Sequence, residues 1–484
     1  MILALPLLPL LAAFLILFIP KENEKVIRAM ALLGTGLSFL ITLFYLFNFQ
    51  TGTPGYQFIH RIEWLPALGI VYQVGLDGIN MTLCLLHALV SLAGVFVACR
   101  TKERIKEYLV FYLILVGSIY GVFTSLDLFF LYLYYEMTLI PLYPMIGIWG
   151  SQNKEYGAMK LTIYITSGAV LALFGILLLY RELGLNSFDL LQIYETLRAT
   201  PLKEPFQKLL TPFLLIGFGV IASLWPLHSW SPIGYAAAPT AVSMLHAGVL
   251  KKMGPYLMIR IVLALLPLGM SYWAPWLAVL AAIGILYAGF AGIWQKDLKF
   301  MVGFSSVSHM GYVLLGLAAM NLTSVSGMVL LMFSHGVMAA CTFALIGFLY
   351  EQAHVRGIKD FGGLAKQIPF VATCFVMASL ASLGLPGFSN FASELLIFVG
   401  AWPRYPWLVA AAVFGILITA IYLLRAVQSV FYGPLNPRWT GLQDPQGFFE
   451  RFPFVLLLGS LLLFGFWPQG LLRMIEPAVG ALLK

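Results

Sequence analysis

The chain has 484 residues, of which 61% are apolar and only 10% are Asp, Glu, Lys or Arg. An ordinary soluble domain carries about 25% charged residues, so a water-soluble globule is excluded. The formal charge of +8 is spread over short connections without the clustered basic face that nucleic-acid binding requires, and it reads as topology information.

A spanning helix takes about 20 apolar residues to cross about 30 Å of hydrocarbon, which leaves room for about 14 of them. Runs such as 109–120 and 454–466 lack the alternation of a membrane barrel strand. The fold class expected is therefore all-α and polytopic, in one helical bundle. In chain order the predicted spans are 2–19, 27–48, 79–99, 108–123, 127–149, 160–181, 209–229, 237–260, 273–294, 299–319, 325–350, 369–400, 406–432 and 452–472. The first has no basic residue before it and Lys21, Lys25 and Arg28 after it, the reverse of a cleaved signal peptide. Cys84, Cys99, Cys341 and Cys374 lie far apart in apolar stretches, with neither zinc spacing nor a disulfide context. Between spans six and seven, Leu190, Leu191, Ile193, Tyr194 and Leu197 recur with helical spacing, predicting a helix along the membrane surface.

Lys and Arg in the connections divide into 16 on one side (Lys21, Lys25, Arg28, Arg100, Lys102, Arg104, Lys106, Lys154, Lys160, Lys296, Lys299, Arg356, Lys359, Lys366, Arg438, Arg451) and 9 on the other (Arg61, Arg181, Arg198, Lys203, Lys208, Arg260, Arg404, Arg473, Lys484). By the positive-inside rule both termini face away from the cytoplasm.

Two spans look interrupted, the seventh at Ser223–Pro232, with Pro226, and the twelfth at Ser382–Phe391, with Pro386. Proline frees backbone groups one turn back, and such groups are tolerated at membrane depth only where protein or a wet cavity satisfies them. Breaks five spans apart predict two five-helix units, about 108–260 and 273–432, the second inverted because each holds an odd number of helices. That arrangement is a transporter signature; ordinary proline kinks are the alternative.

Ionisable residues within hydrocarbon are functional candidates by default because each costs from about 3 to more than 10 kcal/mol to place there. The candidates are Glu136 in span five, His228 in span seven, His246, Lys251 and Lys252 in span eight, His309 in span ten, His335 in span eleven and Glu394 in span twelve. Dehydration disfavours the charged forms of acid and amine alike, so a row of them at similar depth suits proton relay. Lys251 points about 100° away from Lys252; snorkelling to an interface is its competing role. His87 is expected to be a packing residue. Asp127, Lys160 and Arg425 fall near helix ends, where solvated or headgroup-paired states are expected. Phosphate loops, dinucleotide-binding glycines, cofactor-ligating Cys/His clusters and a nucleophile elbow are lacking from the pattern.

The stretches Tyr135-Glu136, Ala238-Pro239-Thr240-Ala241, Ala247-Gly248-Val249-Leu250-Lys251-Lys252-Met253-Gly254, Gln295-Lys296-Asp297-Leu298-Lys299, Ser305-Ser306-Val307-Ser308-His309-Met310-Gly311, Leu383-Gly384-Leu385-Pro386-Gly387-Phe388 and Asn390-Phe391-Ala392-Ser393-Glu394 resemble the antiporter-like membrane subunits of respiratory complex I. Length and the Glu394 context resemble the chain M, or mitochondrial subunit 4, branch more than the larger chain L. The resemblance implies a proton-translocating, non-redox membrane-arm subunit of an NADH:quinone oxidoreductase. Its relay residues would be Glu136, Lys252, Glu394, His228, His309 and His335, with no cofactor or metal on this chain. NADH, flavin, iron–sulfur clusters and quinone would belong to partner subunits, and the location would be a bacterial inner membrane. A subunit of a multi-subunit cation/proton antiporter or membrane-bound hydrogenase, or a mainly structural paralogue, are the alternatives.

One departure stands out. The family's seventh-helix lysine falls on Ile221, and Ser231-Pro232-Ile233-Gly234-Tyr235 replaces the usual Leu-Pro-Asp-Ala-His. Glu136 then lacks its cationic partner, and the first half-channel is expected to be altered or inactive unless His246 compensates.

Overall fold

A computed structural model describes residues 1–483; Lys484, one of the residues in the charge comparison, lies outside them. The helices are α1 (Ala4–Phe18), α2 (Glu24–Asn48), α3 (Gly78–Ala98), α4 (Ile105–Thr124), α5 (Leu128–Trp149), α6 (Lys154–Leu183), α7 (Leu190–Ala199), α8 (Glu204–Ala222), α9 (Trp230–Ala237), α10 (Thr240–Leu245), α11 (Lys251–Leu257), α12 (Pro267–Ile293), α13 (Leu298–Ala319), α14 (Leu322–Ala353), α15 (Pro369–Ser382), α16 (Ser389–Ala401), α17 (Pro406–Phe431), α18 (Phe448–Phe466) and α19 (Gln469–Leu482). Ten of these are individually long and apolar enough to cross a membrane. With α1, α5, the broken pass 240–263 and the α15/α16 pair, they account for all fourteen predicted spans.

Both predicted interruptions are breaks rather than kinks. Helix α8 stops at Ser223, whose backbone is left-handed (φ 58°), and helix resumes only at Trp230. Helix α15 stops at Ser382, and the chain passes through Gly384 (φ 66°) and Gly387 (φ 102°) before α16 begins. Glycine tolerates that half of backbone space without the Cβ penalty. A third irregularity lies beyond the two predicted breaks: π-helical turns at His246–Leu250 and Met258–Leu263 flank α11, which contains Pro255. Such turns widen the helix locally and concentrate at functional sites.

Helices α3, α13 and α14 form the centre of the bundle, with α14 buried from Ser324 to Leu349, whereas α2, α6, α17 and α18 present most of their surface outward. Phe174, Leu177, Val413, Leu417 and Leu463 are exposed on those outer helices, as a hydrocarbon solvent requires.

Three elements differ from the sequence expectation. An antiparallel hairpin, β1 (Gln57–Leu65) with β2 (Ile70–Leu76), fills the connection before α3. Its second strand is wholly buried and is pinned to the α4–α5 turn by Leu126 N–H donating to Gln73 O at 2.8 Å. The last span ends at Phe466, and α19 is a separate helix with Leu471, Leu472, Ile475 and Val479 on its buried face. Arg260, read as a connection charge, is fully buried and bonds Asp77 at 2.5 Å. Asp77 also caps α3 by accepting from the Ile79 and Asn80 amides, so the pair ties the start of α3 to the end of the eighth pass. Removing one member of such a buried pair leaves an uncompensated charge and costs about 3–5 kcal/mol. Lys299 and Arg356 are also buried, bonded to Ala238 O (2.7 Å) and to Asp297 (3.1 Å). Setting these three aside leaves the charge imbalance in the same direction. Helix α7 forms as expected, capped by Asp189, which also pairs with Arg61 at 3.1 Å.

Contacts between connections stay within each predicted set. Arg356 joins Asp297 and Ser151 on one end, while Arg61 meets Asp189 and Arg198 bonds Ala481 O on the other. Single cysteines placed at Arg104 or Lys359 should therefore be reached by impermeant thiol reagents from one side of the membrane only, and cysteines in 200–203 only from the opposite side. Labelling of both regions from one side would refute the fourteen-pass topology.

Candidate functional site

The broken and widened helices bring four of the candidate residues into one row. Lys252 follows the first π turn and is inaccessible to solvent; its amine donates to Ala247 O inside that turn and to His335 Nδ1 at 2.9 Å. The His335 ring, on α14, lies 5.0 Å from the His309 ring on α13. His309 Nδ1 is 2.8 Å from Ser305 O, and its Nε2 is 3.1 Å from Ser382 O, the last residue before the α15/α16 break. The same Nε2 is 3.8 Å from Glu394 Oε1.

Why the break belongs there follows from Gly384. A Cβ at that position would come within 2.6 Å of Glu394 Oε2, so the turn leaves room for a carboxylate that any side chain would displace. Glu394 is only 3% exposed, and its Oε1 makes no hydrogen bond within the protein. A neutral imidazole has one N–H and one acceptor nitrogen. His309 faces carbonyl oxygens with both, so acceptors for a second ring proton are already in place. The row can therefore receive a proton on an amine, two imidazoles or a carboxylate without rearranging a helix.

The remaining candidates do not join that row. Glu136 is half-buried on α5, and its one side-chain partner is Tyr132 on its own helix, whose hydroxyl donates at 2.7 Å. Ile221 is buried, and its Cγ2 would lie 2.8 Å from a Cβ at Gly254 of α11. His228 lies in the break after α8 with its ring 5.1 Å from Tyr287, and its Nδ1 has no partner within the protein. His246 is enclosed by the rings of Trp230 and Tyr235, each 5.2 Å away, and neither nitrogen is hydrogen-bonded within the protein. It forms no bond to Glu136, so the compensation considered from sequence is not made by direct contact.

His87 is a packing residue as expected, bonded to Val116 O at 2.9 Å and set against Tyr120. For Lys251 the snorkelling alternative is excluded, and for Asp127 the expectation is corrected. Lys251 does not snorkel: it is 0% exposed and donates to Ser231 Oγ at 3.1 Å and Ser306 Oγ at 3.3 Å. Asp127 is not solvated: it is fully buried, capping α5 through the Phe129 and Phe130 amides and accepting from Val71 N–H at 3.2 Å. The Asp77–Arg260 pair was missed, although Arg260 lies only eight residues after Lys252, about two turns further along the same pass.

These features define a multi-pass integral membrane protein in which discontinuous helices meet at a buried row of ionisable groups. Residues 125–419 match the family described as NADH:quinone oxidoreductase/Mrp antiporter, TM, and the chain belongs to that family. It is 35% identical over 483 residues to NADH-quinone oxidoreductase subunit M of Rickettsia bellii, covering 99% of this chain and 97% of that one. Identity with NAD(P)H-quinone oxidoreductase chain 4 2 of Microcystis aeruginosa is 37% over 440 residues, covering 89% and 79%. A chain of respiratory complex I from Thermus thermophilus superposes with a TM-score of 0.89 at 29% identity, with 100% of both chains covered. A chain of the Mrp complex from a Dietzia species shares the fold, with a TM-score of 0.87 at 19% identity, covering 100% of this chain and 98% of that one.

The socket around Ile221 generates a prediction. Ile221→Val should leave the amount of assembled complex unchanged, because such a truncation costs only about 0.5–1.5 kcal/mol. Ile221→Lys should lower it, because an uncompensated charge enters an apolar contact. Quantifying the subunit in mild-detergent extracts checks this; normal assembly of Ile221→Lys would show that the socket admits a charge.

Proposed function

We propose that this chain is a non-redox membrane-arm subunit of an NADH:quinone oxidoreductase-type complex and translocates protons through Lys252, His335, His309 and Glu394. The carrying observation is the row itself: four titratable groups from α11, α14, α13 and α16, in contact or nearly so, in the most buried part of the bundle. An ammonium at Lys252 donates its hydrogen bond to His335 Nδ1 and so points its proton at the next carrier. From His335 the proton reaches His309 by ring rotation or a bridging water, and from His309 it reaches Glu394 at the break. Return of each group to its starting state permits another cycle.

On this reading the subunit sits among other membrane-arm subunits in a bacterial inner membrane. NADH, flavin, iron–sulfur clusters and quinone are held elsewhere in the complex, and both termini face the non-cytoplasmic side. The bundle is built of two inverted units, about 108–260 and 273–432. The first is altered: Glu136 has no cationic partner among the described residues, and Ile221 stands at the position of the seventh-pass lysine that the resemblance implies. His228 and His246 remain beside the seventh-pass break as candidate proton carriers of that half.

Glu394→Gln keeps the shape and removes the titratable proton, so it should lower the number of protons moved per electron in vesicles carrying the assembled complex. Glu136→Gln should change that ratio much less. Equal losses in the two variants would show that Glu136 still relays protons, and no loss in Glu394→Gln would count against the whole reading.

A further inference from the structure

Lys251 has no part in the row, yet it is as buried as Lys252 and is held differently. The two lysines are consecutive, so their side chains leave the helix about 100° apart. Lys252 faces α14 through His335, whereas Lys251 faces Ser231 on α9 and Ser306 on α13, with its amine 5.4 Å above the Tyr235 ring. Among the described residues Lys251 forms no ion pair. It therefore bridges the half of the seventh pass that lies beyond the break and the tenth pass, which belong to different five-helix units. Around it are polar atoms without a protein partner: His228 Nδ1, the Tyr235 hydroxyl and both nitrogens of His246. Ser231 N–H bonds His228 O at 3.0 Å, placing that histidine in the same turn as the serine Lys251 holds. Helix packing alone gives no reason to bury a second amine there, since a charged group in hydrocarbon is costly and a methyl group fills space without that cost.

We propose that Lys251 is a second proton-carrying amine, which links the seventh-pass break at His228 and Ser231 to Lys252 and so supplies the cation that Ile221 does not. This inference rests on the proposed proton translocation. A proton arriving at the neutral amine of Lys251 binds its nitrogen lone pair and gives an ammonium; its release restores the lone pair, with no bond to carbon changed and no electron transferred. Two ammonium groups on consecutive buried residues repel each other strongly, because the medium screens little. A charge on Lys251 therefore drives the proton of Lys252 toward His335 and Glu394, coupling the first unit to the second through a single helix turn.

A purely structural Lys251 would bolt α9 to α13, and two substitutions separate the roles. Lys251→Gln keeps N–H donors for the serines but carries no exchangeable charge, and Lys251→Arg keeps donors and charge but does not release its proton. With the whole complex in membrane vesicles, both variants should assemble, and both should lower protons moved per electron as far as Glu394→Gln does. Normal pumping by Lys251→Gln would reduce Lys251 to a hydrogen-bonding strut, and normal pumping by Lys251→Arg would reduce it to a fixed charge; either overturns the proposal. If Lys251→Gln does not assemble, Lys251→Met, apolar and flexible, is measured in the same way, with the same pumping loss expected and normal pumping overturning the proposal. Glu394→Gln run in parallel separates the two readings. A loss there with normal Lys251 variants defeats only this inference, whereas normal pumping by Glu394→Gln defeats the proposed function on which it rests.

Discussion

Ionisable groups inside hydrocarbon persist only where the surrounding helices provide partners for them, and that constraint shapes the centre of this bundle. Three irregularities in the helices serve such groups. The π turn at His246–Leu250 exposes Ala247 O to the Lys252 amine. The α15/α16 break frees Ser382 O for His309 and makes room at Gly384 for Glu394. The break after α8 lets α9 start afresh and bring Ser231 to Lys251. Regular helix would satisfy its own carbonyl groups and leave these side chains without acceptors.

The same constraint accounts for the contrast between the buried row and the surroundings of Glu136. Lys252, His335, His309 and Glu394 are arranged in sequence, each within reach of the next. Glu136 turns to a tyrosine on its own helix, and the α8–α11 contact is closed by Ile221 against Gly254. Other polar groups, Lys251, His228 and His246, gather around and beyond the break after α8.

Much of this was legible in the sequence because the signals were local. Pro226 and Pro386 announce their breaks since proline removes a backbone donor wherever it stands, and Lys252 and Glu394 announce themselves as charges within apolar runs. The order of the row was not legible, because the His335–His309 contact depends on how α13 and α14 pack. Lys251 was ambiguous for a related reason: helical spacing gives its direction but not whether lipid or protein lies there. Arg260 was misread because it falls at the end of a predicted span, where a solvated charge and a buried pair with Asp77, 183 residues away in sequence, look alike. The β1–β2 hairpin went unseen because its exposed strand carries His60, Arg61 and Glu63 and its buried strand lacks alternation.

The central claim is that Glu394 takes up and gives up a proton during turnover, and infrared difference spectroscopy of the reconstituted complex tests it most directly. Initiating quinone reduction should produce a carboxylic-acid C=O band that shifts in heavy water and vanishes in Glu394→Gln. A difference spectrum in that region unchanged by the substitution would contradict the account.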